Sequence, residues 1–300
     1  MALYRGMGVG KLEIEYSPSS AIGGNYQPFI ERYGLLSTQA REMDCADLDR
    51  PYGEHPGQVV DLYHATGSNT PLHVFIHGGY WQELSSRESA VMAKPLMDYG
   101  ISLGVVNYSL APAASIDQMI DECYSALQYL LMNAAKLSLD PTNVSISGHS
   151  AGAQLIAQVL SRYQNDQILE GVKLALLISG IYDLTPLCFT SINAALGLDT
   201  DSARALSPMY DTAVFKVPCT VAVAEQDTGE FRRQAREYYN KLKHDDVPCH
   251  FLELAKRNHF DIILDLESEA QGILWEIVTA AGGRPAEGRP AKGHPAKGPI

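Results

Sequence analysis

Two rhythms of apolar residues run along the chain. Short runs rich in branched and aromatic residues predict strands over 58–65 (QVVDLYHA), 72–77 (LHVFIH), 102–108 (SLGVVNY) and 143–149 (NVSISGH). The series continues over 173–179 (KLALLIS), 217–225 (VPCTVAVAE) and 249–254 (CHFLEL). Between them, apolar residues recur at helical spacing, which predicts helices over 86–98, 115–137, 151–163, 229–243 and 265–280. The second of these opens with Ser115 and Gln118 in capping-box spacing. Strands that alternate with helices imply a largely parallel sheet covered by helices. The later strands are apolar without alternation, so both of their faces should be buried.

Composition narrows the picture. With 46% apolar residues, 300 residues can bury a sizeable core, and the pattern reads as an α/β body over 1–282. From Gly283 a five-residue repeat (GRPAE, GRPAK, GHPAK) offers no apolar face, so residues 283–300 are expected to be a disordered tail. A net charge of −12 without a basic cluster in the body argues against a nucleic-acid partner. Cys45, Cys123, Cys188, Cys219 and Cys249 form no CxxC pair, which suggests neither a disulfide framework nor a zinc site and fits a reducing cytoplasm. No run approaches the ~20 apolar residues that cross a bilayer. The expectation is a soluble protein with a small-molecule substrate and no membrane partner; a homodimer is left open.

The chemistry is concentrated at strand ends. Gly148-His149-Ser150-Ala151-Gly152 is a G-x-S-x-G sequence between a strand-like and a helical run, the context of a nucleophile elbow. Acyl transfer through serine builds an oxyanion that needs main-chain N–H donors from the elbow and from a second segment. His77-Gly78-Gly79, after an earlier strand, can supply that segment, so Gly78, Gly79 and Ala151 are the candidate donors. His77 itself is read as structural. The serine also needs a histidine, and the histidine a carboxylate, in the order Ser, Asp or Glu, His. Asp227, just past a strand end, is the better-placed acid, with Glu225 its rival and Asp183 a third candidate. Among nine histidines, His259 alone sits in a loop after the last strand and before the final helix.

HGGYW, GHSAGAQL, SGIYDLTPL, EQDTGEFRRQ and NHFDII, in this order and spacing, resemble the kynurenine formamidases (arylformamidases) of the α/β-hydrolase superfamily. The similarity runs from about Tyr16 to the last helix. It implies an α/β-hydrolase fold, a mostly parallel central sheet with helices on both faces. Carried over by position, it implies Ser150 as nucleophile, Asp227 as orienting acid, His259 as base, and Gly78, Gly79 and Ala151 as oxyanion donors. The implied reaction is hydrolysis of N-formylkynurenine to kynurenine and formate, which requires no metal or organic cofactor. Tyr80, Trp81 and Tyr182 are expected to border the pocket and stack on an aromatic substrate. One departure is Gln154, where many relatives are expected to carry His. A general carboxylesterase, or a hydrolase of another small amide, would keep the same catalytic residues. A binding module on a hydrolase fold would be expected to lack one of them.

Overall fold

A computed structural model describes residues 2–264 and 272–282. The repeat segment from Gly283 and the first part of the helix expected over 265–280 lie outside the described residues. Eight strands form one sheet: β1 (Ala46–Pro51), β2 (Val59–Tyr63), β3 (Thr70–Ile76), β4 (Ser102–Val106), β5 (Leu139–His149), β6 (Val172–Ile178), β7 (Cys219–Ala224) and β8 (Cys249–Leu254). Their order is β1-β2-β4-β3-β5-β6-β7-β8, and β2 alone runs against its neighbours. The chain leaves β3 toward β4 on one side and returns to β5 on the other. This reversal opens a crevice at the carboxyl ends of β3 and β5, where open α/β sheets bind their ligands.

The described helices are α1 (Val9–Glu15), α2 (Gln27–Arg41), α3 (Ala93–Met97), α4 (Ile116–Met132), α5 (Ala151–Arg162), α6 (Asn193–Leu196), α7 (Thr200–Ala205), α8 (Gly229–His244) and α9 (Ile273–Ala280). At the start of α4 the predicted capping box is present, with the Ser115 hydroxyl accepting from the Gln118 N–H at 3.2 Å and the Gln118 side chain accepting from the Ser115 N–H at 2.8 Å. The helix expected over 86–98 is broken into a 3₁₀ turn at Ser86–Glu88 and the short α3. Pro95 is the reason: in a continuous helix its ring would meet the carbonyl of residue 91, so the helix restarts with Pro95 in its first turn.

Neighbouring strand residues feed two cores. Leu72, Val74, Ala175, Leu177, Val221 and Val223 pack with Leu127, Leu155 and Phe231 of α4, α5 and α8. Phe75, Leu176, Ile178, Ala222 and Ala224 face the other way, against Tyr33, Leu96 and Ile277 of α2, α3 and α9. Burial on both faces therefore holds for the central strands, where one Leu→Ala change would cost about 2–5 kcal/mol. It fails for β8, an edge strand whose residues are mostly half-exposed. His73 lies fully buried between β3 and β5, each ring nitrogen 2.7 Å from a hydroxyl, Ser145 and Ser147. Burial pushes its pKa down to about 3. Among the described residues no helix is long and apolar enough to cross a membrane.

Candidate active site

Ser150 follows β5 and caps α5 with φ 55° and ψ −117°, a backbone conformation that costs a non-glycine residue free energy and is held here by its surroundings. Its N–H is fixed to the Ile178 carbonyl at 2.8 Å, and the residue is buried. The turn is possible because Gly152 lies against β3: a Cβ there would overlap the carbonyl oxygen of Ile76. The His77-Gly78-Gly79 segment follows β3 and meets the elbow directly. A Cβ on Gly78 would stand 3.0 Å from Cβ of Ser150. Gly79 has φ 97°, and its carbonyl accepts the N–H groups of Gln82 and Glu83, each at 2.9 Å. Among the described residues, no backbone carbonyl accepts from the N–H of Gly79 or Ala151.

His259 and Asp227 come together from the loops after β8 and β7. Nδ1 of His259 is 2.7 Å from Oδ1 of Asp227, and both side chains are buried. The carboxylate accepts this hydrogen bond, so Nδ1 carries the proton and Nε2 is left with its lone pair. The other carboxylate oxygen accepts from the Ser179 hydroxyl at 2.6 Å and from the Ala224 N–H at 3.2 Å. Glu225 is exposed and accepts the Lys256 N–H at 2.6 Å, away from His259. Asp183 closes a turn on Thr185 and accepts the hydroxyls of Tyr4 and Tyr210. Of the three acids considered, Asp227 is the one bonded to the histidine.

The neighbouring histidines are held neutral. His77 stacks on Tyr108, donates Nδ1–H to the Gly78 carbonyl at 2.8 Å, and is pushed by burial down to about 4. It braces the glycine turn, in keeping with a structural role. His149 donates Nε2–H to the carbonyl of His259 at 2.8 Å, with the two rings 4.8 Å apart. Burial, and then the like charge that His259 would carry if protonated, hold its pKa well below the ordinary range. The sequence reading gave His149 no role, although its place beside Ser150 was the available signal.

Ser150, His149, His259, Gly79 and Tyr80 open onto one cavity of about 340 Å³. Of the three aromatics expected at its border, only Tyr80 is there; its hydroxyl donates to the Tyr16 carbonyl. Trp81 is a correction. It is completely buried in the core, with its indole N–H 3.0 Å from Oε1 of Gln154. With positive φ at both Tyr80 (51°) and Trp81 (60°), the Tyr80 ring lines the cavity while Trp81 is buried in the core, the two rings meeting edge to face with centroids 6.0 Å apart. Tyr182 is also a correction: it is fully buried, its ring stacked on Tyr238 with centroids 4.2 Å apart. The remaining wall comes mainly from residues 13–33, including Tyr16, Tyr26 and Tyr33, and from Phe260. The aromatic density of that early segment was its only sequence signal. Among the described residues no group of three His, Cys, Asp or Glu side chains is placed to hold a metal ion.

Comparison with known proteins places the fold. A family model described as the α/β hydrolase fold matches residues 73–210. The chain is 33% identical to the kynurenine formamidase of Danio rerio over 90% of this chain and 95% of that protein. It is 32% identical to the kynurenine formamidase of Drosophila melanogaster, over 82% and 84% of the two chains. The chain belongs to the kynurenine formamidase family. Like other α/β hydrolases, this family member is a hydrolytic enzyme. A crystal structure from Silicibacter sp., of a protein provisionally assigned as a thioesterase, superposes with a TM-score of 0.77 at 26% identity, covering 90% of this chain and 99% of that one. A thermophilic carboxylesterase cloned from a metagenomic library shares the fold at a TM-score of 0.67 and 18% identity, covering 93% and 97%. Gln154, the departure noted from the formamidase pattern, holds Trp81 with its oxygen and donates to the Leu206 carbonyl at 2.8 Å with its nitrogen.

Proposed function

We propose that the protein is an arylformamidase that hydrolyses N-formylkynurenine to kynurenine and formate through Ser150, His259 and Asp227. The observation that carries this reading is the His259–Asp227 pair at 2.7 Å, which opens with the strained Ser150 onto one cavity. Nε2 of His259 takes the proton as Ser150 Oγ attacks the formyl carbon. The oxyanion is received by the N–H groups of Gly78, Gly79 and Ala151. His259 then protonates the departing arylamine nitrogen, the C–N bond breaks, and a formyl ester remains on Ser150. Water, deprotonated by the same histidine, cleaves that ester to formate. Five unpaired cysteines support placing this chemistry in a reducing cytoplasm.

Two measurements test the reading. A fluorophosphonate should label the wild type and not Ser150→Ala; an unlabelled wild type would leave a binding module on a hydrolase fold. Formanilide should be turned over about 10- to 200-fold more efficiently than acetanilide, because the added methyl group must find room beneath the glycine turn. Equal or better hydrolysis of acetanilide, or of short esters, would replace this reading with a general carboxylesterase.

A further inference from the structure

We propose that Tyr26 and Phe260 form the surface on which the aryl group of the substrate packs, making residues 13–33 the element that selects the substrate. The inference rests on the arylformamidase reading and names the specificity residues of that site. Phe260 follows His259 directly, and the same cavity that receives His259 and Ser150 is lined by Phe260 and Tyr26. Their rings stack with centroids 5.3 Å apart and planes 14° from parallel, and Phe29 extends the stack beyond Phe260. Tyr26 and Phe260 are only half-buried, so they keep aromatic surface toward the cavity. Trp81 and Tyr182 have none to offer, since both are fully buried.

Hydrogen bonds hold the shelf beside the catalytic histidine. The Phe260 N–H donates to the Asn258 side chain at 2.8 Å, and the Tyr33 hydroxyl donates to the Phe260 carbonyl. Thus the segment that carries Tyr26 is anchored to the residue beside the catalytic histidine. An arylamide whose carbonyl sits between Ser150 and the glycine turn has its ring carried toward this shelf, where offset or edge contacts with a π-face are favourable. A substrate with a small alkyl group in place of the ring gains nothing there.

Steady-state kinetics of Tyr26→Leu, Tyr26→Phe and Phe260→Leu should be compared on formanilide and on ethyl formate. Loss of an aromatic contact should lower the formanilide-to-ethyl-formate ratio of kcat/KM by about three- to tenfold, mostly through KM for formanilide. Tyr26→Phe should restore the ratio, since it keeps the ring. A ratio unchanged in Tyr26→Leu, or equal losses on both substrates, would overturn the proposal. Tyr26 lies outside the chain segment that carries His259, at the start of α2, and serves if Phe260→Leu does not fold. Failure of the arylformamidase reading looks different, because it appears in the wild type as a preference for acetanilide or for the ester.

Discussion

The bond from His149 to the carbonyl of His259 means that the elbow itself holds the loop bearing the base. His149→Phe keeps a ring and removes the donor, so kcat should fall about 10- to 100-fold, as small misplacements of a reacting group do. A kcat equal to that of wild type would show that the loop is held elsewhere. Asp227→Asn should cost roughly 10⁴-fold in kcat, and Glu225→Gln little, since Glu225 faces Lys256; a reversed ranking would move the acid. The pair Gln154 and Trp81 makes a different kind of prediction. Gln154→Leu leaves the Trp81 N–H and the Leu206 carbonyl buried without partners, so unfolding in urea should show a loss of about 1–3 kcal/mol. Ser150, Asp227 and His259 could be picked out in the sequence because each follows a strand end, and strand ends are legible from apolar runs; the structure bonds His259 to Asp227 and opens His259 and Ser150 onto one cavity. Sequence reading misplaced Trp81 because nearness in sequence to a glycine turn says nothing of side-chain direction when the backbone enters the left-handed region.

At the scale of elements, the elbow depends on α5 lying against β3 at Gly152. Gly152→Ala would drive a methyl group into the Ile76 carbonyl and should both destabilise the fold by several kcal/mol and abolish turnover. A soluble variant with normal kcat would contradict that packing. The strands β2 to β8 were legible from runs rich in branched and aromatic residues, although β5 begins at Leu139, ahead of the run over 143–149, where Asp140, Pro141 and Thr142 hide its start. β1 was not: Ala46–Pro51 carries Asp47, Asp49 and Arg50, and pairs along the edge through polar contacts such as that of the Asp49 N–H with the buried Asp61. The N-terminal helices escaped notice for a related reason. In α2 only Tyr33, Ser37 and Ala40 are buried, too sparse a stripe to announce a helix, while Arg41 at its end bonds to Asp61 of β2.

The whole molecule stores a pH dependence in its histidines. His73 and His77 are fully buried, with pKa values lowered from 6.5 to about 3 and about 4. Above pH 6.5 each is neutral folded or unfolded and contributes no slope. Below it the unfolded chain takes up a proton that the folded chain refuses, so stability is lost as pH falls, by about 1.4 kcal/mol per unit for each histidine. Urea unfolding at pH 6.5 and pH 5 should differ by about 3 kcal/mol from these two groups, because the unfolded imidazoles are already half protonated at pH 6.5, and that is a large part of the usual 5–15 kcal/mol. Equal stabilities at the two values would refute the assignment.

The wall around residues 13–33 also constrains when, in the life of the chain, catalysis can begin. Glu15 and Tyr16 are held by Thr228 and Glu230, and Tyr33 by Phe260, partners more than two hundred residues downstream. A nascent chain that has exposed its serine elbow to solvent still lacks the wall formed by His259 and Phe260 and the partners that fix Tyr16 and Tyr33. Until the ribosome has released the segment near residue 260, α2 holds only its earlier partners such as Asp61 and Ala90, the base and its loop are missing, and the growing polypeptide carries a nucleophile without a workplace.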